Sequence, residues 1–348
     1  MSDPSSRAAA LHRFAENALA GPPRSIAPAS ADASFRSYWR VIDAQERAWI
    51  AMDAPPGKED IGRWIDIAAR LRAAGVHAPE VHAADPAQGF ILMEDLGTRT
   101  YLPELDAANA DALYGDALDT LVRMQLHVDT SNLPAYDAAL LISELERMPE
   151  WFLARHCGHV PDAGERRVID GAFAFLAHAA LDQPQSFVHR DFHSRNLLIV
   201  AATPASAAVR GPGVIDFQDA VTGPIAYDLV SLLRDCYIEW DNERVDGWLE
   251  SHRLRLLSAR LIGFKTDPTC FRRWFDLVGL QRHLKVLGNF TRLWYRDGKA
   301  QYLADLPLVW RYVLGVAPRY PELAALVDLL ERACAGRDLA QPRAQTPA

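Results

Sequence analysis

The feature of this sequence that most constrains its fold is a polar loop enclosed by short apolar runs. Residues 189–196 carry the polar side chains, and the apolar runs 187–188 and 197–200 stand on either side of them. A third run, 214–215, comes directly before Asp216. Apolar runs this short, bounded by polar residues, are typical of buried strands. We therefore interpret them as short strands that carry polar residues at their ends.

The first hundred residues predict a small lobe made mainly of strands. Apolar residues at helical spacing indicate a helix over residues 6–20 and a second helix from Ile61 to a C-terminal cap at Gly75. Runs rich in β-branched and aromatic residues predict strands over 34–42, 48–52 and 90–93. Strands with an inserted helix make this part of the chain an α+β lobe.

Helical periodicity dominates the rest of the chain, apart from the short strands around the polar loop. We expect an N-terminal lobe with its hinge over residues 1–97 and a larger, mainly helical lobe over 98–337. The last residues, 338–348, lack a periodic pattern and predict a flexible tail. The predicted fold class is therefore α+β, with a small β-rich lobe followed by a larger helical one.

The composition limits the functions to consider. Hydrophobic residues make up 49% of the 348-residue chain, which is enough for a sizeable core. The 37 basic and 45 acidic residues give a net charge of −8, so neither nucleic acid nor a membrane surface is an expected partner. No stretch approaches about 20 consecutive apolar residues, and no secretory signal is visible. We expect a cytoplasmic protein and, by default, a monomer.

The four cysteines give no sign of a metal site. They are far apart in the sequence and form no CxxC pair, standing at Cys157, Cys236, Cys270 and Cys334. We interpret them as separate reduced thiols, which agrees with a cytoplasmic location.

Residues 189–196 reproduce the pattern H-R-D-x-x-x-x-N of a kinase catalytic loop without a gap. Asp191 is then the base that accepts the proton of the attacking hydroxyl, since a carboxylate stays ionised at neutral pH. Asn196 and Asp216 supply oxygen atoms of the kind that hold Mg²⁺ against nucleotide phosphates. The pattern predicts phosphoryl transfer from ATP to a hydroxyl group, with Mg²⁺ as the cofactor.

The same loop allows a second interpretation. His189, Asp191 and His193 alternate, so on an extended strand they point to one face, as the ligands of a metal-dependent phosphohydrolase do. The sequence offers no further cluster of His or Asp for the other ligands of a two-metal site. We favour the kinase and interpret His189 as a structural residue that packs and hydrogen-bonds under the loop.

These motifs make the sequence resemble the superfamily of aminoglycoside phosphotransferases and choline kinase-like enzymes, from about residue 31 to about residue 330. The resemblance implies a protein kinase-like two-lobe fold in which ATP binds between a small N-lobe and a helical C-lobe. It implies that the adenine meets backbone groups of the hinge at Met93, Glu94, Asp95 and Leu96. Asp228 matches the aspartate that braces the catalytic loop in that superfamily, so its implied role is structural.

A closer resemblance links the sequence to the anomeric sugar kinases of cell-wall recycling. It rests on five segments, residues 52–56, 191–196, 215–220, 232–237 and 281–288. It implies an ATP-dependent kinase for the C1 hydroxyl of N-acetylmuramate, N-acetylglucosamine or both, in peptidoglycan recycling. An anomeric hydroxyl is more acidic than an ordinary alcohol, so Asp191 suffices as the base. Catalysis then rests on positioning and charge neutralisation.

Residues for the sugar acceptor are predicted by residue type and by proximity to the loop. Five are expected to meet the sugar, namely Glu144, Trp151, His193, Arg195 and Asp219. The lactyl carboxylate of N-acetylmuramate needs a cationic or amide partner. Its candidates are Arg195, Arg282 and His283, although a solvated helix face explains the last two at least equally well. An aminoglycoside acceptor instead requires an acidic pocket, which the sequence leaves open through Asp219, Asp235 and Glu239.

The small lobe departs from the protein-kinase pattern where the phosphates bind. Met52 stands at the position of the kinase lysine, and the nearest lysine, Lys58, follows two prolines. The glycine-rich loop is also missing, so we expect the Ser34 hydroxyl and nearby backbone N–H groups to cradle the phosphates. Arg36 or Arg40 then replaces the lost positive charge.

The missing lysine makes a nucleotide-binding pseudokinase a third alternative. The intact Asp191, Asn196 and Asp216 argue against it, because an abandoned site need not keep both metal ligands. Gln218 replaces the glycine of the kinase D-F-G motif, which indicates that no activation-loop switch of the protein-kinase kind is present.

Overall fold

The computed structural model describes residues 4–31, 35–200 and 211–343. The chain forms two compact units, of which the first comprises residues 1–129 and 195–219 and the second the remainder. Each unit has a hydrophobic core of its own. An antiparallel sheet near the N-terminus followed by a mainly helical chain confirms the predicted α+β class.

The first unit is built on a five-stranded antiparallel sheet with the strand order β1-β2-β3-β5-β4. Its strands are β1 (Ser25–Ala31), β2 (Ser37–Ile42), β3 (Ala48–Asp53), β4 (Val81–Asp85) and β5 (Phe90–Glu94). The predictions for β3 and β5 are confirmed to within a residue. The sequence analysis missed the two edge strands β1 and β4, because alanine is the commonest residue in both and Pro28 lies beside a register shift in β1.

The described part of the first unit contains the helices α1 (Pro4–Ala18), α2 (Ile61–Ala73), α3 (Tyr101–Glu104) and α4 (Ala110–His127). Helix α2 begins where the Asp60 side chain accepts the backbone N–H of Gly62 at 2.8 Å. It ends at Ala73, and Gly75 follows with a φ of +75°, the left-handed conformation of the C-terminal cap that the sequence predicted. Its buried face includes Trp64, whose ring lies 5.0 Å from that of Phe217.

Two small sheets follow the helices. In the second unit, β6 (Gln185–Val188) pairs with β9 (Val221–Pro224), and in the first unit β7 (Leu197–Leu198) pairs with β8 (Gly213–Val214). Backbone N–H groups tie the second of these sheets to the rest of the first unit. Val214 donates to the carbonyl of His77, and Ile199 donates to the carbonyl of Arg99, both at 2.8 Å. The first unit therefore extends beyond the lobe boundary that we placed at residue 97.

The second unit is helical. Its helices are α5 (Ala138–Leu145), a π-helix (Met148–Cys157), α6 (Ala163–Leu181), α7 (Tyr227–Leu233), α8 (Asn242–Ser258), α9 (Pro268–Tyr295), α10 (Leu306–Val316) and α11 (Ala324–Cys334). Short 3-10 turns cover residues 300–305, 317–319 and 321–323. Among the residues that the structure describes, no helix combines the length and the apolar character needed to cross a membrane.

Helix α9 is the centre of the second unit. Every residue from 275 to 288 is buried, so this stretch has no solvent-facing side. The polar members Arg282, His283 and Lys285 therefore need partners inside the protein. At Gly288 the backbone of Arg147 comes so close that a Cβ atom would collide with it. This glycine lets α9 pack directly against the chain that enters the π-helix.

The predicted flexible tail is packed as far as the structure describes it. The side chain of Leu339 is 5% exposed, and its carbonyl accepts a hydrogen bond of 3.0 Å from Nε2 of His156. The backbone N–H of Arg343 donates to the Tyr295 hydroxyl at 2.8 Å. A flexible segment beginning at residue 338 is therefore wrong up to Arg343. The sequence signal was misleading because this segment is held by single side chains rather than by a periodic element.

The close approach at Gly288 gives a stability prediction. We expect Gly288→Ala to lower the free energy of unfolding by about 1–3 kcal/mol, because the added methyl group meets backbone that cannot rotate away. Gly247→Ala is the matched control, since this glycine also lies inside a helix but has open space around its Cα. The control should be neutral or more stable by about 0.5–1 kcal/mol. Urea unfolding measures both, and equal stability of the two variants contradicts the packing argument.

Candidate active site

The loop after β6 is held by one buried carboxylate. Asp228 accepts the backbone N–H of His189 at 2.6 Å and that of Arg190 at 3.0 Å, and its side chain is 1% exposed. Arg190 has a φ of +79°, a left-handed conformation that non-glycine residues seldom adopt. Burial raises the pKa of Asp228 to about 7, against the two backbone hydrogen bonds, which act to lower it. These two bonds stabilise the turn that presents Asp191.

His189 is engaged with its own loop. Its ring is fully buried, Nδ1 accepts the backbone N–H of Asp191 at 3.2 Å, and the ring meets Phe192 edge-on at 5.9 Å. Because Arg190 turns the chain, residues 189–193 do not form an extended strand. The alternation that suggested a shared metal-binding face for His189, Asp191 and His193 therefore has no structural basis.

A second buried carboxylate holds the far end of the loop. Asp235 accepts both the backbone N–H and the hydroxyl of Ser194, at 2.9 and 2.5 Å. It also accepts the backbone N–H of Tyr237 at 3.1 Å. Asp235 is 1% exposed, so these bonds occupy its charge inside the protein. The sequence analysis had considered Asp235 only as part of an acidic acceptor pocket, which its burial contradicts.

Asp191 is half-buried and surrounded by positive charge. Burial alone raises the pKa of a carboxyl group, but Lys285, His193 and Arg282 act in the opposite direction. The net effect holds the pKa of Asp191 below its usual range. The side chain is therefore ionised at neutral pH, as a proton acceptor must be.

Glu144 does not face solvent, although we predicted that it would contact the sugar. Its side chain is 1% exposed, and it accepts hydrogen bonds from the Tyr136 hydroxyl and the Arg190 guanidinium. The ammonium group of Lys285 lies 3.1 Å from the same carboxylate. With both oxygens engaged inside the second unit, Glu144 is a support of the loop rather than a sugar contact.

The predicted metal ligands lie together in the first unit. The amide Nδ2 of Asn196 lies 3.4 Å from Oδ2 of Asp216. Gln218 Nε2 donates to Oδ1 of Asp216 at 3.0 Å, and the guanidinium of Arg36 lies 3.5 Å from the same oxygen. The backbone of Asp216 has a φ of +65°, so Asp216, like Arg190, adopts a strained left-handed conformation.

A cavity of about 410 Å³ opens beside these ligands, entirely within the first unit. Its walls are mostly apolar, with Ile50, Met93 and Leu198 among them, and Asn196 and Asp216 stand at its polar side. Cavities of this size and character are typical of small-molecule sites. The predicted hinge residues Met93, Glu94, Asp95 and Leu96 all line it.

The hinge side chains are already engaged. The Glu94 carboxylate binds His77 at 3.0 Å and Arg72 at 3.3 Å. Burial acts to raise the pKa of Glu94, but the hydrogen bond with His77 acts against it, and the net result is a lowered pKa. Asp95 accepts hydrogen bonds from Arg40 at 2.5 Å and from the backbone N–H of Gly97 at 2.8 Å. These side chains are therefore committed to partners within the protein.

The position of the kinase lysine is filled by an apolar side chain. Met52 is 1% exposed on β3, so no cation reaches the cavity from this position. Arg40 lines the cavity, and Arg36, at 9% exposure, lies against Asp216. Ser34, the other predicted phosphate contact, lies outside the described residues.

The remaining predicted acceptor residues differ in exposure. His193 is 8% exposed, with its ring 5.3 Å from that of Tyr237, whereas Arg195 and Trp151 are half-buried and Asp219 is exposed. The solvated helix face proposed for Arg282 and His283 is wrong, because both are buried. Arg282 donates to the Cys236 thiol at 3.2 Å, and the ring Nε2 of His283 donates to the Arg234 carbonyl at 3.1 Å.

Sequence reasoning missed three residues that surround the loop, namely Tyr136, Tyr227 and Lys285. The signal for Lys285 was available, since the chain has only four lysines and this one stands in the segment 281–288. No comparable signal marks the two tyrosines, because a buried hydroxyl is recognised only by its partner.

The role of Asp228 is open to a stability test. We expect Asp228→Asn to lower the free energy of unfolding by about 2–4 kcal/mol, because the two buried N–H groups bond to different carboxylate oxygens and an amide offers only one acceptor oxygen. Asp241→Asn is the control, since Asp241 caps α8 and asparagine caps a helix about as well. Urea unfolding of both variants provides the measurement, and a loss below about 0.5 kcal/mol for Asp228→Asn contradicts the bracing role.

Comparison with known proteins places this arrangement in a family. The model of a family described as "Phosphotransferase enzyme family" matches residues 25–260. A protein of Pseudomonas aeruginosa named N-acetylmuramate/N-acetylglucosamine kinase is 43% identical over 317 residues, which cover 89% of this chain and 88% of the relative. Proteins of the same name from Pseudomonas putida and Neisseria meningitidis are 41% and 38% identical, covering 93% and 87% of this chain and 93% and 88% of the relatives.

Solved structures agree on the fold. The aminoglycoside phosphotransferase APH(2'')-Ib, bound to ADP, has a TM-score of 0.58 at 14% identity, covering 87% of this chain and 97% of its own. The ethanolamine kinase of Plasmodium vivax has a TM-score of 0.60 at 9% identity, covering 89% and 88%. At these identities the likeness concerns the fold alone, which is the predicted kinase-like one. The chain thus belongs to the phosphotransferase enzyme family.

Proposed function

We propose that this protein is an ATP-dependent amino-sugar kinase that phosphorylates the anomeric hydroxyl of N-acetylmuramate, N-acetylglucosamine or both. The observation that carries the proposal is the loop 189–196, in which an ionised Asp191 is held between two buried carboxylates. The relatives named N-acetylmuramate/N-acetylglucosamine kinase, at 38–43% identity, support the choice of acceptor.

Asp191 acts as the base. Its carboxylate accepts the proton of the C1 hydroxyl as that oxygen attacks the terminal phosphorus of ATP, and ADP leaves. The O–P bond to the sugar forms while the bond to the ADP oxygen breaks. The positive groups around Asp191 keep it ionised before the acceptor arrives, and the acidity of an anomeric hydroxyl lowers the demand on the base.

Asn196 and Asp216 are the proposed ligands of Mg²⁺. Their donor set fits the ion, because a carboxylate and a carboxamide oxygen are both hard ligands and the two side chains lie in contact at 3.4 Å. When bound, Mg²⁺ supplies charge neutralisation for the phosphates. Arg36, beside Asp216, is our candidate for the positive charge that the missing lysine provides in protein kinases.

The cavity of the first unit is the proposed nucleotide site. The backbone N–H of Glu94 already donates to the carbonyl of Glu80 at 2.8 Å, so it is not available to a ligand. We propose the carbonyl of Glu94 and the N–H of Leu96 as the groups that pair with the adenine edge. Ile50 and Leu198 then cover the faces of the ring as apolar walls.

An amino sugar fits the second unit better than a polycationic aminoglycoside does. Asp235 is committed to Ser194, and Glu239 pairs with Arg311 at 2.6 Å, so neither offers an uncompensated negative charge. Trp151, His193, Arg195 and Asp219 remain our candidates for sugar contacts. Since ATP is the donor, we place the reaction in the cytoplasm, in peptidoglycan recycling.

A direct assay tests the function. Phosphorus NMR of reactions with Mg-ATP and a panel of amino sugars and aminoglycosides should show phosphate on C1 of N-acetylmuramate or N-acetylglucosamine. Asp191→Ala should reduce the turnover at least about 100-fold, since the base is lost, while ATP binding measured by calorimetry is retained. Asp328→Ala, an exposed position on α11, should keep wild-type activity.

Two results contradict the proposal. If phosphate appears only on an aminoglycoside hydroxyl, the acceptor is an aminoglycoside and not an amino sugar. ATP binding without transfer to any acceptor of the panel favours the pseudokinase.

A further inference from the structure

Five side chains form a buried polar cluster in the second unit, which we call the Glu144 cluster. Its members are Tyr136, Glu144, Arg190, Tyr227 and Lys285, and all but Arg190 have side chains or residues at most 10% exposed. Glu144 accepts hydrogen bonds from the Tyr136 hydroxyl and the Arg190 guanidinium, and it forms an ion pair with the Lys285 ammonium group. The Tyr227 hydroxyl lies 3.2 Å from both the Tyr136 hydroxyl and Lys285 Nζ. Every member thus has a polar partner inside the cluster.

The cluster is joined to Asp191 by the chain and by charge. Arg190 immediately precedes Asp191 and is held in its left-handed conformation by Asp228 at its backbone and by Glu144 at its guanidinium. Lys285 and Arg190 carry two positive charges, whereas Glu144 supplies only one negative charge. The cluster therefore has an excess of positive charge, and Lys285 is the strongest of the groups that lower the pKa of Asp191, ahead of His193 and Arg282.

Burying a lysine and a glutamate together costs free energy of folding, so such a pair indicates a role beyond packing. Two charges removed from water lose hydration free energy, which their mutual attraction seldom exceeds. Apolar residues at position 144 on α5 and position 285 on α9 would pack against each other's helix without that loss of hydration. The contact with Arg190 is the feature that an apolar pair cannot supply.

We propose that Lys285 and Glu144 are positioning residues for Asp191, which fix the loop through Arg190 and balance the charge of the base. The inference rests on the proposed kinase function. Neither residue needs to touch the sugar or the nucleotide, so both act on the rate of transfer rather than on substrate binding.

The first test is Lys285→Met, with Lys265→Met as the control because Lys265 is exposed. Steady-state kinetics should show kcat reduced about 100-fold with the KM values for ATP and sugar within about 3-fold of wild type. Lys285→Arg, which keeps the charge, should recover at least about 10-fold of that loss. Lys265→Met should be unchanged.

The double variant Lys285→Met with Glu144→Gln tests the charge balance and covers the case in which the single variant does not fold. It removes one cation and one anion, leaving Arg190 opposite Asp191. We expect it to be folded and at least about 5-fold faster than Lys285→Met, because the amide oxygen introduced by Glu144→Gln still accepts a hydrogen bond from Arg190 and the two charge losses compensate each other. A double variant that is as slow as the single one, or slower, overturns the proposal.

The outcomes separate this inference from the proposed function. A wild-type enzyme that transfers phosphate to no sugar contradicts the function itself. An active wild type with an equally active Lys285→Met contradicts only the positioning role. A raised KM for the sugar with unchanged kcat makes Lys285 a substrate contact and also overturns the inference.

A separate observation concerns the cysteines. The sulfur atoms of Cys157 and Cys334 lie 3.1 Å apart, although 177 positions separate them in the sequence. Cys157 ends the π-helix and is partly exposed, whereas Cys334 ends α11 and is buried. The interpretation of four separate thiols is wrong for this pair.

The two thiols differ in reactivity. The hydrogen bond with Cys157 and burial together raise the pKa of Cys334, which makes it the poorer nucleophile. Cys157, which is partly exposed, is the thiol that an oxidant meets first.

We propose that Cys157 and Cys334 are a modification site at which a peroxide forms an intramolecular disulfide. The Cys157 thiolate attacks one oxygen of hydrogen peroxide and the O–O bond breaks. Hydroxide is the leaving group, and Cys157 becomes a sulfenic acid. The Cys334 sulfur then displaces the sulfenic hydroxyl, which departs as water with the thiol proton. Two thiols and one peroxide thus give one disulfide and two waters. The bond ties the C-terminal helix to the π-helix.

Peroxide treatment of the full chain tests the site. Thiol titration after denaturation should fall from four groups to two, with an intact mass lower by about 2 Da, and dithiothreitol should reverse both changes. The thermal midpoint should rise by several degrees, because the new bond closes a long loop of the unfolded chain. Cys157→Ser and Cys334→Ser should abolish the response, whereas Cys236→Ser and Cys270→Ser should keep it.

Three results overturn this second proposal. They are a retained count of four thiols, a gain of oxygen mass without cross-linking, and a disulfide that peptide mapping assigns to Cys236 or Cys270.

Discussion

The acceptance of two backbone N–H groups by Asp228 is the interaction on which the rest of the site depends. It fixes the turn at Arg190, where the backbone enters a conformation that non-glycine residues avoid, and it thereby sets the direction of Asp191. A short strand such as β6 has too few hydrogen bonds to hold such a turn by itself. The buried carboxylate supplies the missing constraint, and Asp235 repeats the device at Ser194.

Charge is distributed around this loop so that the base stays ionised without an exposed ion pair. The carboxylates that hold the loop accept hydrogen bonds from backbone N–H groups or from cations of the Glu144 cluster. Asp191 faces several cations, of which Lys285, His193 and Arg282 lower its pKa most. A group in that position can accept a proton and release it again, which suits a base and not a structural salt bridge.

Motifs with strong local patterns could be read from the sequence, and tertiary partners could not. The strand at 90–93, the helix with its cap at Gly75 and the loop with Asp191 follow from residue spacing and turn chemistry. Glu144 was assigned to the sugar because a glutamate near a kinase loop is by default an exposed acid. Its burial depends on Lys285, which comes from a helix more than a hundred residues later, and no local pattern announces such a pair.

The hairpin of β7 and β8 has a consequence for how the protein is made. The sheet of the first unit is complete within the first hundred residues, but the unit also contains residues 195–219, which carry Asn196 and Asp216. During synthesis from the N-terminus, those residues leave the ribosome only after the helices that precede β6. The cavity side of the early sheet therefore stays exposed during synthesis, until the chain up to Asp219 has left the ribosome and supplied Asn196 and Asp216.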